Sequence, residues 1–261
     1  MKYHCVVLTG LAALALIATA RAADLYKWTD EKGQVHYTSS SPPDTAKKPQ
    51  QIDPANPSNA TVLPTSAAAN GMANGPGVLF ILDASGSMKA KIDNREKIVI
   101  AKEVLANLLR DLPATIRVGL EVYGHHTKGD CNDIEVMAPI GQTDKATLIQ
   151  RIQAIDPKGM TPITQALQVA AEQLKTAEQE TTVVLVSDGE ETCKGHPCTA
   201  VGSLVQQGVK LKVHVVGFDV AKKEQQQLMC IAKAGNGKYF TANNAEQLKN
   251  ALTEVKQEVV K

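Results

Sequence analysis

The sequence predicts an α/β protein with a doubly wound, mostly parallel sheet flanked by helices, preceded by a small N-terminal β-hairpin domain. Three observations support this fold class. Continuous apolar runs recur from residue 77 onward, stripes of apolar residues at helical spacing separate them, and a short alternating segment rich in aromatic residues precedes residue 42. Continuous apolar runs are typical of strands covered on both faces.

Five apolar runs predict the strands of the main domain, which we place at residues 77–261. The runs cover residues 77–82, 117–123, 182–187, 211–218 and 238–241. Between and after them, apolar stripes predict helices over residues 98–109, 148–155 and 163–174, and a last helix capped by Asn244. Two more helices are predicted at residues 199–208, where Gly208 ends the helix, and at residues 222–233. Because strands and helices alternate, the sheet is predicted to be mostly parallel, with ligands bound beyond the carboxyl ends of its strands.

Residues 1–22 have the features of a secretory signal peptide. Lys2 precedes an apolar stretch over residues 6–19, and Ala20 and Ala22 occupy the small-residue positions of a cleavage site. The stretch is shorter than the ~20 residues of a membrane-spanning helix. We therefore expect a periplasmic or secreted protein with no membrane span after signal removal.

The next two segments are predicted to be a hairpin and a linker. Residues 23–42 alternate polar and apolar side chains on both sides of a turn at residues 30–33, and they contain Tyr26, Trp28 and Tyr37. Residues 43–76 are dominated by Pro, Ala, Ser, Asn and Thr, which is typical of a flexible linker. We expect the hairpin to move independently of the main domain.

Composition excludes one class of partner. Lys and Arg total 28 and Asp and Glu total 27, so the net charge of +1 creates no field that would attract nucleic acid. Hydrophobic residues make up 43% of the chain and aromatic residues 3%, which indicates a folded protein with an aliphatic core.

Oxygen-bearing side chains follow the predicted strands at the edge where ligands bind. Asp83, Ser85 and Ser87 come directly after the first strand, and Asp188 follows the third. Thr161 precedes Pro162 at the predicted start of a helix. Carboxylate and hydroxyl oxygens at this spacing suit a divalent cation, with Mg²⁺ favoured and Mn²⁺ or Ca²⁺ as alternatives.

These motifs closely resemble the metal-ion-dependent adhesion site of von Willebrand factor type A (VWA) domains, which have a Rossmann-like fold. The resemblance implies that Ser85, Ser87 and Thr161 bind the metal directly, while Asp83 and Asp188 act through water or hydrogen bonds. It also implies a protein partner whose Asp or Glu carboxylate completes the coordination. The protein is therefore expected to be a non-enzymatic adhesion or interaction module.

Two further stretches resemble known families. Tyr-Gly-His at residues 123–125 and Gly-Asp-Cys at residues 129–131 look like an exported bacterial subset of VWA proteins. The hairpin, with Tyr-Lys-Trp at residues 26–28 and His-Tyr at residues 36–37, resembles a short domain of unknown function found in exported Gram-negative proteins. This resemblance implies a Gram-negative envelope.

An exported metallohydrolase is the alternative function. It would use a divalent metal at the same crevice, or zinc held by His125, His126 and cysteines. A hydrolase needs a positioned general base, whereas both conspicuous aspartates are assigned to the metal. The nucleophile-elbow and phosphate-loop patterns are missing from the sequence. Because a site of hard oxygen ligands does not need imidazole, His125 and His126 are interpreted as loop residues near the metal rim rather than as ligands.

The cysteines indicate two disulfides. Cys5 leaves with the predicted signal peptide, and the remaining candidates are Cys131, Cys193, Cys198 and Cys230. An even count in an exported protein favours disulfides over zinc. We favour a Cys193–Cys198 pair that braces the loop after Asp188. The pairing of Cys131 with Cys193 and of Cys198 with Cys230 stays open as an alternative.

Overall fold

The computed structural model describes residues 25–29, 35–38, 42, 44–52, 75–175 and 177–260. The predicted signal peptide, the hairpin turn and residues 53–74 of the predicted linker lie outside these ranges. Among the helices that the structure describes, none is both long enough and apolar enough to cross a bilayer.

A single nine-stranded sheet organises the described residues. Its strands are β1 (Leu25–Thr29), β2 (Val35–Thr38), β3 (Lys47–Ile52), β4 (Gly77–Asp83), β7 (Arg117–Tyr123), β8 (Ile134–Ala138), β9 (Thr181–Ser187), β10 (Leu211–Phe218) and β11 (Tyr239–Ala242). They are arranged in the order β11-β10-β9-β4-β7-β8-β2-β1-β3. Strands β5 (Lys91–Ile92) and β6 (Arg95–Glu96) form a separate two-stranded ribbon.

Five neighbouring strands, from β11 to β7, are parallel, which confirms the predicted fold class. The strands begin and end within one or two residues of the predicted apolar runs. Strand β8 is not predicted by the sequence patterns, and it pairs antiparallel with β7. It is a five-residue segment with Glu135 at its second position, too short and too polar to stand out as an apolar run.

In the described part of the chain, six α-helices cover the two faces of the sheet. They are α1 (Lys97–Asp111), α2 (Lys145–Gln153), α3 (Ile163–Leu174), α4 (Pro197–Gln206), α5 (Lys222–Ala234) and α6 (Ala245–Val260). The predicted cap of the last helix is confirmed, since Asn244 Oδ1 accepts a hydrogen bond of 2.9 Å from the backbone N–H of Gln247.

Strand β4 shows why its apolar run is continuous. Phe80 and Leu82 belong to the core beneath α1, α2 and α6, whereas Leu79 and Ile81 belong to the core beneath α3, α4 and α5. All four side chains are at most 2% exposed. Because successive side chains point to opposite faces of a strand, a sheet with helices on both sides needs an apolar residue at every position.

The N-terminal strands extend this sheet rather than standing apart from it. Strand β2 pairs antiparallel with both β1 and β8, and β1 also pairs antiparallel with β3. The antiparallel hairpin is as predicted. The hairpin is attached to the main sheet, whereas we expected it to move independently of the main domain. Strand β3 lies within the segment predicted to be a linker. The hairpin pairs with β8 because β8 would otherwise present an unpaired edge of backbone N–H and C=O groups.

The order of the strands locates the ligand-binding edge. The chain moves from β4 outward through β7 and β8, and then returns to the other side of β4 at β9. The connections after β4 and β9 therefore diverge at a topological switch point, where a crevice forms beyond the carboxyl ends of the strands. Asp83 ends β4 and Ser187 ends β9 at this crevice.

Candidate metal site

Asp83 is anchored at the crevice by two hydrogen bonds. Its Oδ1 accepts a bond of 2.8 Å from the backbone N–H of Ser85, and its Oδ2 accepts a bond of 2.7 Å from the Ser187 hydroxyl. The side chain is fully buried. Asp83 thus closes the turn that follows β4 and joins it to the end of β9.

The other predicted residues of these two loops form a continuous hydrogen-bonded chain. The Ser85 and Ser87 hydroxyl oxygens are 2.9 Å apart, and the Ser87 hydroxyl donates to Asp188 Oδ1 over 2.6 Å. Ser85 and Asp188 are buried, whereas Ser87 is exposed. We call Asp83, Ser85, Ser87 and Asp188 the hydroxyl–carboxylate cluster. Its solvent-facing side is at Ser87.

Thr161 lies in the loop that adjoins this cluster. The carbonyl of Gly159, two residues before it, accepts a hydrogen bond of 3.0 Å from the backbone N–H of Gly86. Thr161 itself is buried, and its backbone N–H donates to the Thr192 hydroxyl over 2.8 Å. Three segments far apart in sequence are therefore fastened to one another at the crevice.

A buried lysine stands beside the cluster. Lys97 Nζ is 3.2 Å from Asp188 Oδ2 and 2.9 Å from Asp219 Oδ2. Burial lowers the pKa of Lys97, but its hydrogen bond to Asp219 and its attraction to Asp188 raise the pKa above its ordinary value. The ammonium is therefore charged and partly neutralises Asp188.

The carboxylates of Asp83 and Asp188 repel each other electrostatically. Burial, together with the nearby charge of Asp83, raises the pKa of Asp188 to about 6, against the opposing effects of Ser87 and Lys97. Buried carboxylates with raised pKa values, aimed at a crevice, are frequent at functional sites. A cation at this position would relieve the repulsion. The donor set of neutral hydroxyls and two carboxylates fits a hard divalent cation.

Several residues of this site are not predicted by the sequence. Lys97 lies at the start of α1 and Asp219 follows β10, so neither belongs to a recognisable local motif. Ser187 stands out in the sequence only as the residue before Asp188. A lysine on the apolar face of a helix indicates a buried ion pair. The tertiary fold decides which acidic residue is the partner of that lysine.

Gly124 explains the close fit between the loops. Its φ is +74°, and a Cβ added there would lie 2.6 Å from the carbonyl oxygen of Met160 and 3.0 Å from Ser85 Cα. Its carbonyl accepts hydrogen bonds from the backbone N–H groups of Lys158 and Gly159, at 2.9 and 2.8 Å. Glycine is required here both for the left-handed conformation and for space.

His125 and His126 follow Gly124, and their rings are in contact, with centroids 3.7 Å apart and planes tilted by 41°. Both imidazoles lie against Asp133 and Glu135, which sequence reasoning did not connect with them. The hydrogen bond to Asp133 raises the pKa of His126 above its ordinary value. Burial raises the pKa of Asp133, but hydrogen bonds from His126 and from backbone N–H groups outweigh it, so the pKa is lowered.

The structure contains two disulfides, Cys131–Cys193 and Cys198–Cys230, each with its Cα atoms 5.6 Å apart. The favoured Cys193–Cys198 pairing is therefore wrong, and the alternative pairing is correct. Helix α4 begins at Pro197, so Cys198 lies in its first turn and bonds to Cys230 of the neighbouring α5. Cys193 instead ties the loop after Asp188 to the loop that contains the histidines. Two disulfides fit an exported protein.

Comparison with known proteins identifies two family models in the chain. The model of the von Willebrand factor type A domain matches residues 78–254, and that of a domain of unknown function (DUF4124) matches residues 12–69. The Bacillus subtilis (strain 168) protein described as "Uncharacterized protein YwmC" is 31% identical over 186 residues, covering 68% of this chain and 81% of its own length.

Solved structures share the fold. The vWF domain of the type V pili tip protein Mfa5 from Porphyromonas gingivalis superposes with a TM-score of 0.57 at 15% identity, covering 71% of this chain and 95% of that one. An aerotolerance-related membrane protein from Bacteroides fragilis gives 0.56 at 23% identity, covering 70% and 100%. With the match over residues 78–254, the chain belongs to the von Willebrand factor type A domain family.

Proposed function

We propose that this protein is an exported interaction module that captures a protein partner through a divalent cation held by Asp83, Ser85, Ser87, Thr161 and Asp188. The observation that carries the proposal is the chain of hydrogen bonds that links the Ser85 and Ser87 hydroxyls to Asp188 at the open end of the crevice. Mg²⁺ is the favoured ion, since hard oxygen donors with room for water suit it.

The donor set explains why the partner supplies a carboxylate. Ser85, Ser87 and Thr161 are neutral, so direct binding through their hydroxyls leaves the ion electrophilic. Asp83 and Asp188 would orient these hydroxyls and hold water, and Lys97 already offsets part of the charge of Asp188. The ion supplies the electrophile, and a Glu or Asp of the partner reaches it from the exposed side at Ser87.

The location and the relatives support an interaction role. The two disulfides fit export, and with the signal-peptide pattern they favour the periplasm or the outside of the cell. One protein of the same fold is the tip protein of a pilus. Because its identity to this chain is 15%, it supports the fold directly and the adhesion role only as an analogy.

Cation binding by the mature chain tests the first half of the proposal. We expect Ser85→Ala and Asp83→Ala to lose most of the Mg²⁺ or Mn²⁺ affinity measured by titration calorimetry, because each removes a group that holds or orients the ion. Circular dichroism and thermal unfolding should show that the domain stays folded. Ser203→Ala, on the exposed part of α4, is the matched control and should bind the cation normally.

Partner capture tests the second half. Envelope extracts are passed over the immobilised protein with Mg²⁺ or with a chelator, and a retained protein is identified by mass spectrometry. We expect retention to need the cation, to be lost with Ser85→Ala and kept with Ser203→Ala, and to disappear when the partner's acidic residue is changed to its amide. Equal retention in the chelator would overturn the proposal.

A further inference from the structure

Two histidines and two carboxylates form a compact cluster outside the hydroxyl–carboxylate cluster. His125, His126, Asp133 and Glu135, which we call the histidine cluster, meet where the loop after β7 runs into β8. His125, Asp133 and Glu135 are 7% exposed or less, whereas the His126 side chain is 51% exposed. The cluster is therefore rooted in the protein and open to solvent on one side.

The two carboxylates lie on opposite edges of the paired imidazoles. Glu135 Oε2 is 2.8 Å from His125 Nε2 and 3.3 Å from His126 Nε2. Asp133 Oδ1 is 2.9 Å from His126 Nδ1 and 3.9 Å from His125 Nδ1. The Nε2 edges of both rings thus face one glutamate, and the Nδ1 edges face one aspartate.

His125 Nδ1 is the unusual atom of the cluster. It is buried, and it has no hydrogen-bond partner within the part of the chain that the structure describes. When Nε2 carries the proton and donates it to Glu135, Nδ1 presents a bare lone pair on the side of Asp133. A buried nitrogen lone pair without a partner is costly in an apolar site, but it is what a metal ligand requires.

Asp133 is held in a position to be a second ligand. Its Oδ2 accepts hydrogen bonds from the backbone N–H groups of His126 and Thr127, at 2.7 and 2.9 Å. These bonds fix the carboxylate and leave Oδ1 directed at the two Nδ1 atoms. His125 can then bind through Nδ1 while its Nε2–H donates to Glu135, an arrangement that recurs around metal-bound histidines.

We propose that the histidine cluster is a second metal site, selective for a first-row transition metal such as Zn²⁺. Its ligands are His125 Nδ1, His126 Nδ1 and Asp133 Oδ1, and Glu135 orients the His125 ring through their hydrogen bond. Two ligand atoms on one tetrahedral zinc, with bonds of about 2.0–2.1 Å, lie roughly 3.3 Å apart. The present separations of 2.9 and 3.9 Å from Asp133 Oδ1 bracket this value, and all three ligand atoms lie within 4.8 Å of one another, so side-chain movements can bring them onto one ion.

This site differs in chemistry from the hydroxyl–carboxylate cluster. Two imidazole nitrogens and one carboxylate favour a transition metal, whereas hydroxyl and carboxylate oxygens favour Mg²⁺ or Ca²⁺. The two sites are neighbours, since Gly124 lies between His125 and the Ser85 backbone. The proposal is independent of the proposed function, because neither the ligands nor their partners belong to the hydroxyl–carboxylate cluster.

Metal titration of the mature chain tests the proposal. The disulfide-intact protein, stripped with a chelator and kept in millimolar Mg²⁺, is titrated with Zn²⁺ by calorimetry, and Co²⁺ is used as a coloured probe. We expect one Zn²⁺ per chain and a Co²⁺ spectrum of the tetrahedral type. His126→Ala and His125→Asn should abolish stoichiometric binding, and Glu135→Gln should weaken it roughly 10- to 100-fold.

Two control variants show whether the bound Zn²⁺ belongs to the histidine cluster. His196→Ala removes an exposed histidine between Cys193 and Cys198 and should leave Zn²⁺ binding intact. Ser85→Ala should also leave it intact, so failure of the proposed function and failure of this site give different results. Because the His126 side chain is half exposed, His126→Ala should fold normally. Absence of stoichiometric Zn²⁺ binding, or its persistence in both variants of the cluster histidines, overturns the proposal.

Discussion

Glu121 carries a carboxyl group inside the sheet, on β7. The side chain is fully buried, and its Oε2 accepts a hydrogen bond of 3.0 Å from Gln173 of α3. Burial raises the pKa of Glu121 well above its ordinary value, although the bond from Gln173 lowers it somewhat. The group is therefore protonated in the folded protein at pH values where the unfolded chain has released its proton.

This protonation predicts a pH dependence of stability. Because the pKa of Glu121 is higher in the folded protein, its contribution to the free energy of unfolding is fully present below pH 4.5, which is its ordinary pKa. This stabilisation is lost as the pH rises towards the folded pKa, at up to ~1.4 kcal/mol per pH unit. Glu121→Gln removes the titration. Chemical denaturation from pH 4 to pH 8 should show the variant gaining stability relative to the native protein.

The matched control for this measurement is Glu178→Gln, because Glu178 is exposed. The difference in unfolding free energy between Glu178→Gln and the native protein should not change with pH. A constant difference for Glu121→Gln over the same range would contradict the assignment of a protonated Glu121.

At the scale of elements, the functional loops are positioned by contacts between backbones. The loop after β4, the loop after β7 and the segment before α3 meet at Gly124, and the Cys131–Cys193 disulfide joins two of the loops around the crevice. Glu191 strengthens the same region, since its Oε2 accepts a hydrogen bond of 2.7 Å from the backbone N–H of Thr164 at the start of α3. Small changes in loop spacing should therefore affect the hydroxyl–carboxylate cluster.

Two glycines of the loop after β7 allow the cost of a steric collision to be distinguished from the cost of backbone strain. Gly124 and Gly129 both have positive φ values, +74° and +77°, but a Cβ at Gly129 would meet nothing within 4 Å. Alanine at Gly129 should cost ~1–2 kcal/mol of unfolding free energy from backbone strain alone. Alanine at Gly124 should cost a further ~1–3 kcal/mol, because the new methyl group collides with Met160 and Ser85.

Thermal and chemical unfolding of the two variants measures this difference, and cation titration shows its effect on the site. We expect Gly124→Ala to weaken cation binding and Gly129→Ala to leave it near the native value. If the two variants lose stability equally, the loops do not depend on close packing at Gly124.

At the scale of the whole molecule, the N-terminal strands complete the sheet. Strand β8 lies between β7 and β2, so its backbone is paired on both sides. Without β2, β8 would be an edge strand with an exposed row of hydrogen-bonding groups, which favours pairing with other chains. The hairpin therefore protects the edge of the main domain nearest to the histidine cluster.

Truncation tests this protection. A chain that begins at residue 75 should still fold, because both cores of the main domain lie beyond that point. Hydrogen–deuterium exchange should become faster in Ile134–Ala138, while Tyr239–Ala242, at the opposite edge of the sheet, serves as the internal control. Unchanged exchange in β8 would show that the hairpin does not pair with it in solution.

The sequence by itself determined where the parallel strands and the helices lie and which residues are candidates for binding a metal. Hydrophobic periodicity is a local property, so the five apolar runs and the four helical stripes indicate their elements without knowledge of the fold. The motifs at Asp83, Thr161 and Asp188 follow from the same reasoning, because strand ends in an α/β sheet meet at one edge.

Only the tertiary structure decided which residues meet across the fold. The pairing of Cys198 with Cys230 depends on the packing of α4 against α5, and the place of the hairpin depends on the free edge of β8. Likewise Lys97 meets Asp188, 91 positions further along the chain. Such contacts are set by the summed packing of many residues, and the physical reason is that sequence patterns encode the face that an element buries but not the partner it is buried against.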